Sequence, residues 1–121
     1  MLDISESMVE CAEDYYWRMA GRHRLIGLYA GTHILGLCTF FVLTGWDDLG
    51  RFYPRKVWTI PEDAPDGPLV YLDKLITYKW TLGIARQVEA EVTRRVPSWE
   101  RAVWYRPTDD TDRQFLYHRR R

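Results

Sequence analysis

Apolar or small residues return every three or four positions at Met8, Cys11, Ala12, Tyr15, Tyr16 and Met19, which predicts an amphipathic helix from about Ser5 to Ala20. Ser7 with Glu10 resembles a capping box, and five acids (Asp3, Glu6, Glu10, Glu13, Asp14) precede the first base, Arg18, as a helix dipole favours. From Arg24 the period changes. RLIGLYAGTHILGLCTFFVLTG reads as two β-rich runs around Ala30-Gly31-Thr32, a hairpin with Gly31 available for positive φ. Gly45 to Pro54 reads as a loop, Lys56 to Ile60 (KVWTI) as a short strand and Pro61 to Pro68 as a second loop. Leu69 to Thr77 (LVYLDKLIT) is apolar on both alternating faces apart from Asp73, Lys74 and Thr77, the pattern of a central strand. Leu82 to Val96 carries Ile84, Val88, Val92 and Val96 at helical spacing, with Arg86, Glu89, Arg94 and Arg95 toward water, and Pro97 ends it. Arg101 to Arg106 and Arg113 to His118 read as strands joined by the turn Pro107 to Asp112, and Arg119 to Arg121 form a basic tail.

The predicted order is α, β, β, β, β, α, β, β. A strand, helix and strand from Leu69 to Arg106 imply a parallel pair with a right-handed crossover inside an otherwise antiparallel sheet. The expected fold class is therefore α+β: a mixed, mostly antiparallel sheet with an N-terminal helix (residues 1–22) and one central crossover helix within residues 24–118. No repeat of twenty to fifty residues is visible, and the Pro-rich loop is too short to divide the chain, so residues 1–121 read as one domain.

Composition narrows the partners. Seventeen Lys and Arg balance seventeen Asp and Glu, so no whole-protein field draws the chain to nucleic acid or an anionic membrane. The longest apolar stretch, Ile34 to Leu43, is about half of a bilayer-spanning helix. The N-terminus has no basic, apolar and small-residue signal pattern, so Cys11 and Cys38 are expected as free thiols of a cytoplasmic protein, each behaving as a small buried hydrophobe. Neither has His or Cys at metal-ligand spacing, and no metal is expected.

Three features carry candidate chemistry. A strand leading through Tyr78-Lys79-Trp80-Thr81-Leu82-Gly83-Ile84-Ala85 into a helix is where backbone N–H groups hold phosphate, with Gly83 and Ala85 permitting close approach and Lys79 adding charge. The plainer reading is that the small residues let the helix sit close to the sheet. Asp73, among Tyr71, Leu72, Leu75 and Ile76, is costly unless paired or exposed in a cleft; it reads as a base for an amine or as an ion pair with Lys74, Arg101 or Arg106. Of the histidines, His23 near a strand end is a better catalytic candidate than His33 or His118. Six tryptophans fill a core or form an aromatic surface for a protein partner or a second copy in a homo-oligomer, with Trp80 its first candidate.

The hairpin with Gly36 early in its second strand, the strand VYLDKLI and then TLGIARQV resemble the acyl-CoA N-acyltransferase (GNAT) superfamily. That family opens its helix with Gln/Arg-x-x-Gly-x-Gly/Ala; Gly83 and Ala85 match, and Trp80 stands at the first position. In pattern the chain is more similar to the toxin-activating lysine acyltransferases that use acyl-carrier protein, over about Leu25 to Arg119. Their catalytic Asp falls on Asp73, and Trp17 with His23-Arg24 echoes their His motif. The resemblance implies transfer of an acyl group from acyl-CoA or acyl-carrier protein to an amine. It places Ile76, Thr77, Lys79, Trp80, Gly83, Ile84 and Ala85 at the donor and Asp73 and His23 at the proton. Small GNAT-like phage proteins, some virion-associated and without established chemistry, share the pattern. The alternative implied is a non-catalytic binding or virion-structural protein.

Overall fold

The computed structural model describes residues 6–107 and 112–119. Helix α1 spans Glu6–Gly21, strands β1 and β2 span Leu25–Ala30 and His33–Leu43, and β3 spans Leu69–Thr77. Helix α2 spans Leu82–Arg95, and β4 and β5 span Arg101–Pro107 and Asp112–His118. The five strands form one sheet in the order β1-β2-β3-β4-β5, antiparallel except for the parallel pair β3 and β4. The chain is thus α+β with a mixed sheet, and its central strand is the apolar LVYLDKLIT segment.

Alternation along the strands divides the core into two layers. One sheet face turns Ile26, Leu28, Cys38, Phe40, Val42, Val70, Leu72 and Ala102 toward α2, whose Ile84, Val88 and Val92 complete the layer with Val96 and Trp99. The opposite face turns Phe41, Leu43, Leu69, Tyr71 and Val103 toward Tyr15 and Met19 of α1 and Phe52 of the long β2–β3 connection. Of the residues that the 3.6-residue period predicted, Tyr15, Met19, Ile84, Val88, Val92 and Val96 are buried, Ala12 and Tyr16 are half-buried and Cys11 is exposed, while the Met8 side chain lies outside those described. Ser7 lies inside α1, which already runs from Glu6. Cys38 is fully buried, and burial pushes its thiol up to about 12, out of reach of thiolate chemistry at neutral pH.

Residues 44–68 depart most from expectation. Trp46–Arg51 form a short 3-10 helix, and Lys56 to Ile60 is not a strand. Its apolar residues are buried one at a time by packing on the sheet face: Trp58 and Ile60 join the α1-side layer, while Val57 stays exposed. Trp58 has φ 67°, and its ring sits 5.5 Å from Tyr15 and 6.0 Å from Tyr16, under the Lys74 ammonium at 4.6 Å. These contacts hold a left-handed backbone that a residue with Cβ adopts at a cost of about 1–2 kcal/mol. Alternation of hydrophobicity alone cannot tell a paired strand from a segment lying across a sheet.

The free edge of β1 is covered by side chains of α2. The Arg95 guanidinium donates to the Leu25 carbonyl (2.7 Å), while the Gln87 amide accepts from the Tyr29 N–H (2.8 Å) and donates to its carbonyl (2.6 Å). Arg95 is consequently half-buried, and Glu89 also leaves the water-facing set, bonded by the Tyr117 hydroxyl. Such capping removes an open template for strand addition.

Gly36 governs the other end of the hairpin. A Cβ there would lie 2.1 Å from the Ile76 carbonyl oxygen and 2.8 Å from the Thr77 Cα. Gly36→Ala must push β2 and β3 apart, with an expected loss of about 1–3 kcal/mol in urea unfolding. A variant as stable as the parent would show that this close approach is not required.

Candidate functional site

The site is built around an irregularity in β3. Thr39 pairs with Lys74 and Phe40 with Leu72, so Asp73 is an extra residue, the unpaired member of a β-bulge. The bulge turns the consecutive polar residues Asp73 and Lys74 toward the α1 side, while Leu72 and Leu75 both keep to the α2 side. The two residues that looked misplaced in a central strand are side by side because the backbone skips a beat.

Asp73 is held on all sides. Arg55 grips it bidentately (Nη1 to Oδ1 2.7 Å, Nη2 to Oδ2 2.8 Å), and the Tyr15 hydroxyl donates to Oδ2 at 2.5 Å. With its one proton given to Asp73, Tyr15 receives a bond from the Thr39 hydroxyl (2.6 Å), which accepts in turn from the Lys74 N–H (3.1 Å). A chain of donors thus runs from the bulged backbone to the carboxylate, each bond polarising the next. Burial pushes the Asp73 carboxyl up, but the bonds from Arg55 and Tyr15 and the nearby charges outweigh it and hold it below the ordinary carboxylate range. Burial first, and then the Asp73 charge, raise Tyr15 and Tyr71, so both stay protonated.

The ion-pair partner is Arg55, from the β2–β3 connection, in place of Lys74, Arg101 or Arg106. Arg55 also donates to the carbonyls of Phe52 (2.9 Å) and Thr59 (2.9 Å from Nη2), so the same side chain shapes the loop and neutralises the strand. Arg55 stands eighteen residues upstream of Asp73 and carries no local signal beyond its charge.

Beside this clasp the sheet opens. The parallel ladder of β3 and β4 consists of Leu69↔Arg101, Val70↔Ala102 and Tyr71↔Val103, yet β3 continues to Thr77 and β4 to Pro107. The strands therefore part beyond Tyr71 and Val103. On the α1 side of the gap lies an open cavity of about 370 Å³ whose wall includes Asp73, Lys74, Arg55, Tyr71 and the stacked rings of Tyr53 and Tyr105, 3.7 Å apart. On the α2 side a narrow apolar slot of about 30 Å³ lies among Leu72, Trp80, Ala85, Trp99 and Trp104.

The remaining predicted residues divide between these places. Trp80 and Ala85 line the slot and Ile84 is core. Ile76 is exposed, and the Thr77 hydroxyl donates to the Lys79 carbonyl (3.3 Å) within the turn. At the start of α2 the Thr81 hydroxyl accepts from the Ile84 N–H (3.2 Å) and the Thr81 carbonyl from the Ala85 N–H (3.0 Å), which leaves the N–H groups of Leu82 and Gly83 without an acceptor among the described residues. A Cβ on Gly83 would meet nothing nearer than 3.7 Å, so a ligand can approach. Two N–H groups with the exposed Lys79 suit one phosphate.

His23 is not brought to this site. It is exposed at the outer end of β1, in the left-handed region (φ 61°), with its carbonyl bonded by Arg95 (3.0 Å). No hydrogen bond joins its ring to Asp73 among the described residues, and β2 lies between their strands. Among the described residues no three metal-ligating side chains gather, and no helix is long and apolar enough to cross a membrane.

The depressed Asp73 carboxyl sets an acid limb. The unfolded chain binds that proton near pH 4 and the folded chain only lower, so the clasp's contribution is complete above about pH 4 and is lost as pH falls through the folded-state value. Urea midpoints measured from pH 2 to 7 should fall below about pH 4 in the parent and more shallowly in Asp73→Asn. Equal slopes would show that Asp73 is not held in its charged form.

No protein family profile, no curated protein and no solved structure matches the chain.

Proposed function

We propose that the protein is a divergent GNAT-like acyltransferase that moves an acyl group from a thioester donor to an amine. The observation that carries this reading is the parting of β3 and β4 between two unlike spaces, an apolar slot at the start of α2 and a polar cavity on the opposite face. A donor held by its phosphate at Leu82, Gly83 and Lys79 would direct its acyl chain between Trp80 and Trp104 toward the gap. The amine would enter from the cavity of Asp73 and Lys74. Its nitrogen forms the amide as the C–S bond breaks, and the proton it loses balances the one the departing thiolate takes up. In this reading backbone N–H groups along the open side of β3 would polarise the thioester carbonyl. Asp73 orients the amine in this reading, because a carboxylate held by Arg55 and Tyr15 is a weak base. The phosphate turn has room for the single phosphate of an acyl-carrier-protein arm as well as for one phosphate of acyl-CoA.

A non-catalytic binding protein is the second reading, favoured by the bonds that already engage both Asp73 oxygens and by the separation of His23. Both readings separate in a titration with acetyl-CoA and a long-chain acyl-CoA followed by tryptophan fluorescence, since Trp80 and Trp104 are 6.3 Å apart at the slot. Saturable quenching is expected, weakened at least about tenfold in Gly83→Glu, whose carboxylate suits a helix start but repels phosphate. Acyl transfer to an amine from either donor, or from acyl-carrier protein, completes the case. Binding without transfer, or a flat response to every donor, selects the second reading.

A further inference from the structure

On the α2 side of the sheet, beyond the reach of the helix, the β4–β5 hairpin carries an arrangement that acyl transfer does not use. Arg106 and Arg113 are directly paired across the two strands. Their guanidinium carbons lie 5.4 Å and 5.2 Å from the centroid of the same ring, Phe115. Phe115 stacks on Trp104 (5.7 Å, 10°), and Trp104 leads on to Trp80. Like charges directly opposite in a sheet repel. Among the described residues neither arginine forms an ion pair, and the described carboxylate of their hairpin, Asp112, lines the cavity on the opposite face.

We infer that this strip is a nucleotide site, in which the two guanidinium groups hold a phosphate and the base lies against the Trp104–Phe115 aromatic surface. The chemistry matches in both halves. Two forked donors on paired positions beside one ring suit the oxygens of a phosphate monoester, which would also relieve their mutual repulsion. A flat ring system beside them gives a purine its stacking partner, a contact worth about 1–3 kcal/mol per base in single-strand binders. The net charge of zero does not oppose this, because the field that matters is local. A small nucleotide is favoured over a nucleic-acid strand because the described strip offers one arginine pair and no continuing row of cations along a groove.

The test uses the full chain and AMP, with adenosine, inorganic phosphate and a short oligothymidylate as comparison ligands, read by tryptophan fluorescence and melting temperature. AMP should quench saturably and raise the melting temperature, with adenosine and phosphate each at least about tenfold weaker. Arg106→Gln/Arg113→Gln should lose AMP binding by at least about tenfold and melt close to the parent without ligand, since relief of like-charge repulsion offsets the two lost ring contacts. Gly83→Glu should leave AMP binding unchanged, which separates this site from the proposed donor turn. AMP binding that survives the double variant, tight oligothymidylate binding without AMP binding, or a ligand-free double variant that melts well below the parent would each overturn the inference. The last result would mean that the arginines already have a stabilising partner beyond the Phe115 ring.

Discussion

Arg55→Met should cost about 3–5 kcal/mol, the range for removing one partner of a buried ion pair and leaving the other behind. Arg55 provides both of the cationic bonds to Asp73, whose side chain is 3% exposed, and without it the carboxylate keeps the neutral Tyr15 hydroxyl as donor but no paired cation. The guanidinium also lies 5.1 Å from the Phe41 ring centroid and binds two loop carbonyls, so the loss includes packing and the anchoring of the connection. In urea unfolding this appears as a lower midpoint, and in melting as a fall on the order of 10 °C or more.

The sign of its pH dependence is diagnostic. With Arg55 gone, burial is the largest effect left on Asp73 and should raise its carboxyl above the ordinary value. The folded variant then binds that proton more readily than the unfolded chain, so the stability deficit should shrink as pH falls toward about 4. Should the methionine variant not fold, Arg55→Lys, which keeps the charge but not the fork, is expected to lose about 1–2 kcal/mol. A pH-independent deficit, or none, would mean that the clasp is not what neutralises Asp73. Removing both partners in Arg55→Met/Asp73→Leu should recover part of the loss, because no buried charge is left alone.

Trp99→Ala should be of similar size, about 3–5 kcal/mol, for a different reason. Trp99 is 1% exposed, stacks on Tyr117 at 6.3 Å, and donates from Nε1 to the Thr93 hydroxyl (2.9 Å). It closes the turn from α2 into β4 and lines the slot with Leu72 and Ala85. Truncation would open a void beneath the parting of β3 and β4, where the surroundings are two strands already without a shared ladder. Trp99→Phe should cost less, since most of the ring volume stays and one hydrogen bond is lost. An alanine variant within about 1 kcal/mol of the parent would show that the slot collapses around the loss. If the slot takes an acyl chain as proposed, the enlarged void should also shift preference toward longer donors.

The clasp explains which parts of the site were readable beforehand. Asp73 and Lys74 stood out because two adjacent polar residues break the alternation of an otherwise apolar strand. The bulge that accommodates them leaves no mark of its own, since it depends on the register against β2. Tyr15 was expected on the buried face of its helix, but its hydroxyl could have met any polar group on the sheet. Its partner Asp73 lies fifty-eight residues away. The distance of His23 from Asp73 and the absence of a strand at KVWTI share a reason: residue type and short-range pattern state what a side chain or segment can do, while the path of the chain decides what it meets.

The amino-acid sequence by itself determined the two helices, the hairpin, the central strand and the α+β class. Each follows from a period of 3.6 or 2 that backbone geometry imposes locally, with turns where Gly and Pro permit them. It also determined that one carboxylate would need a partner inside the sheet. Only the tertiary structure decided that the partner is Arg55, that β3 bulges at Asp73, that β3 and β4 part after three pairs, and that Arg106 and Arg113 meet over Phe115. Those features arise from register and from contacts between segments distant in sequence, whose energies depend on the whole packed chain and have no local period to betray them.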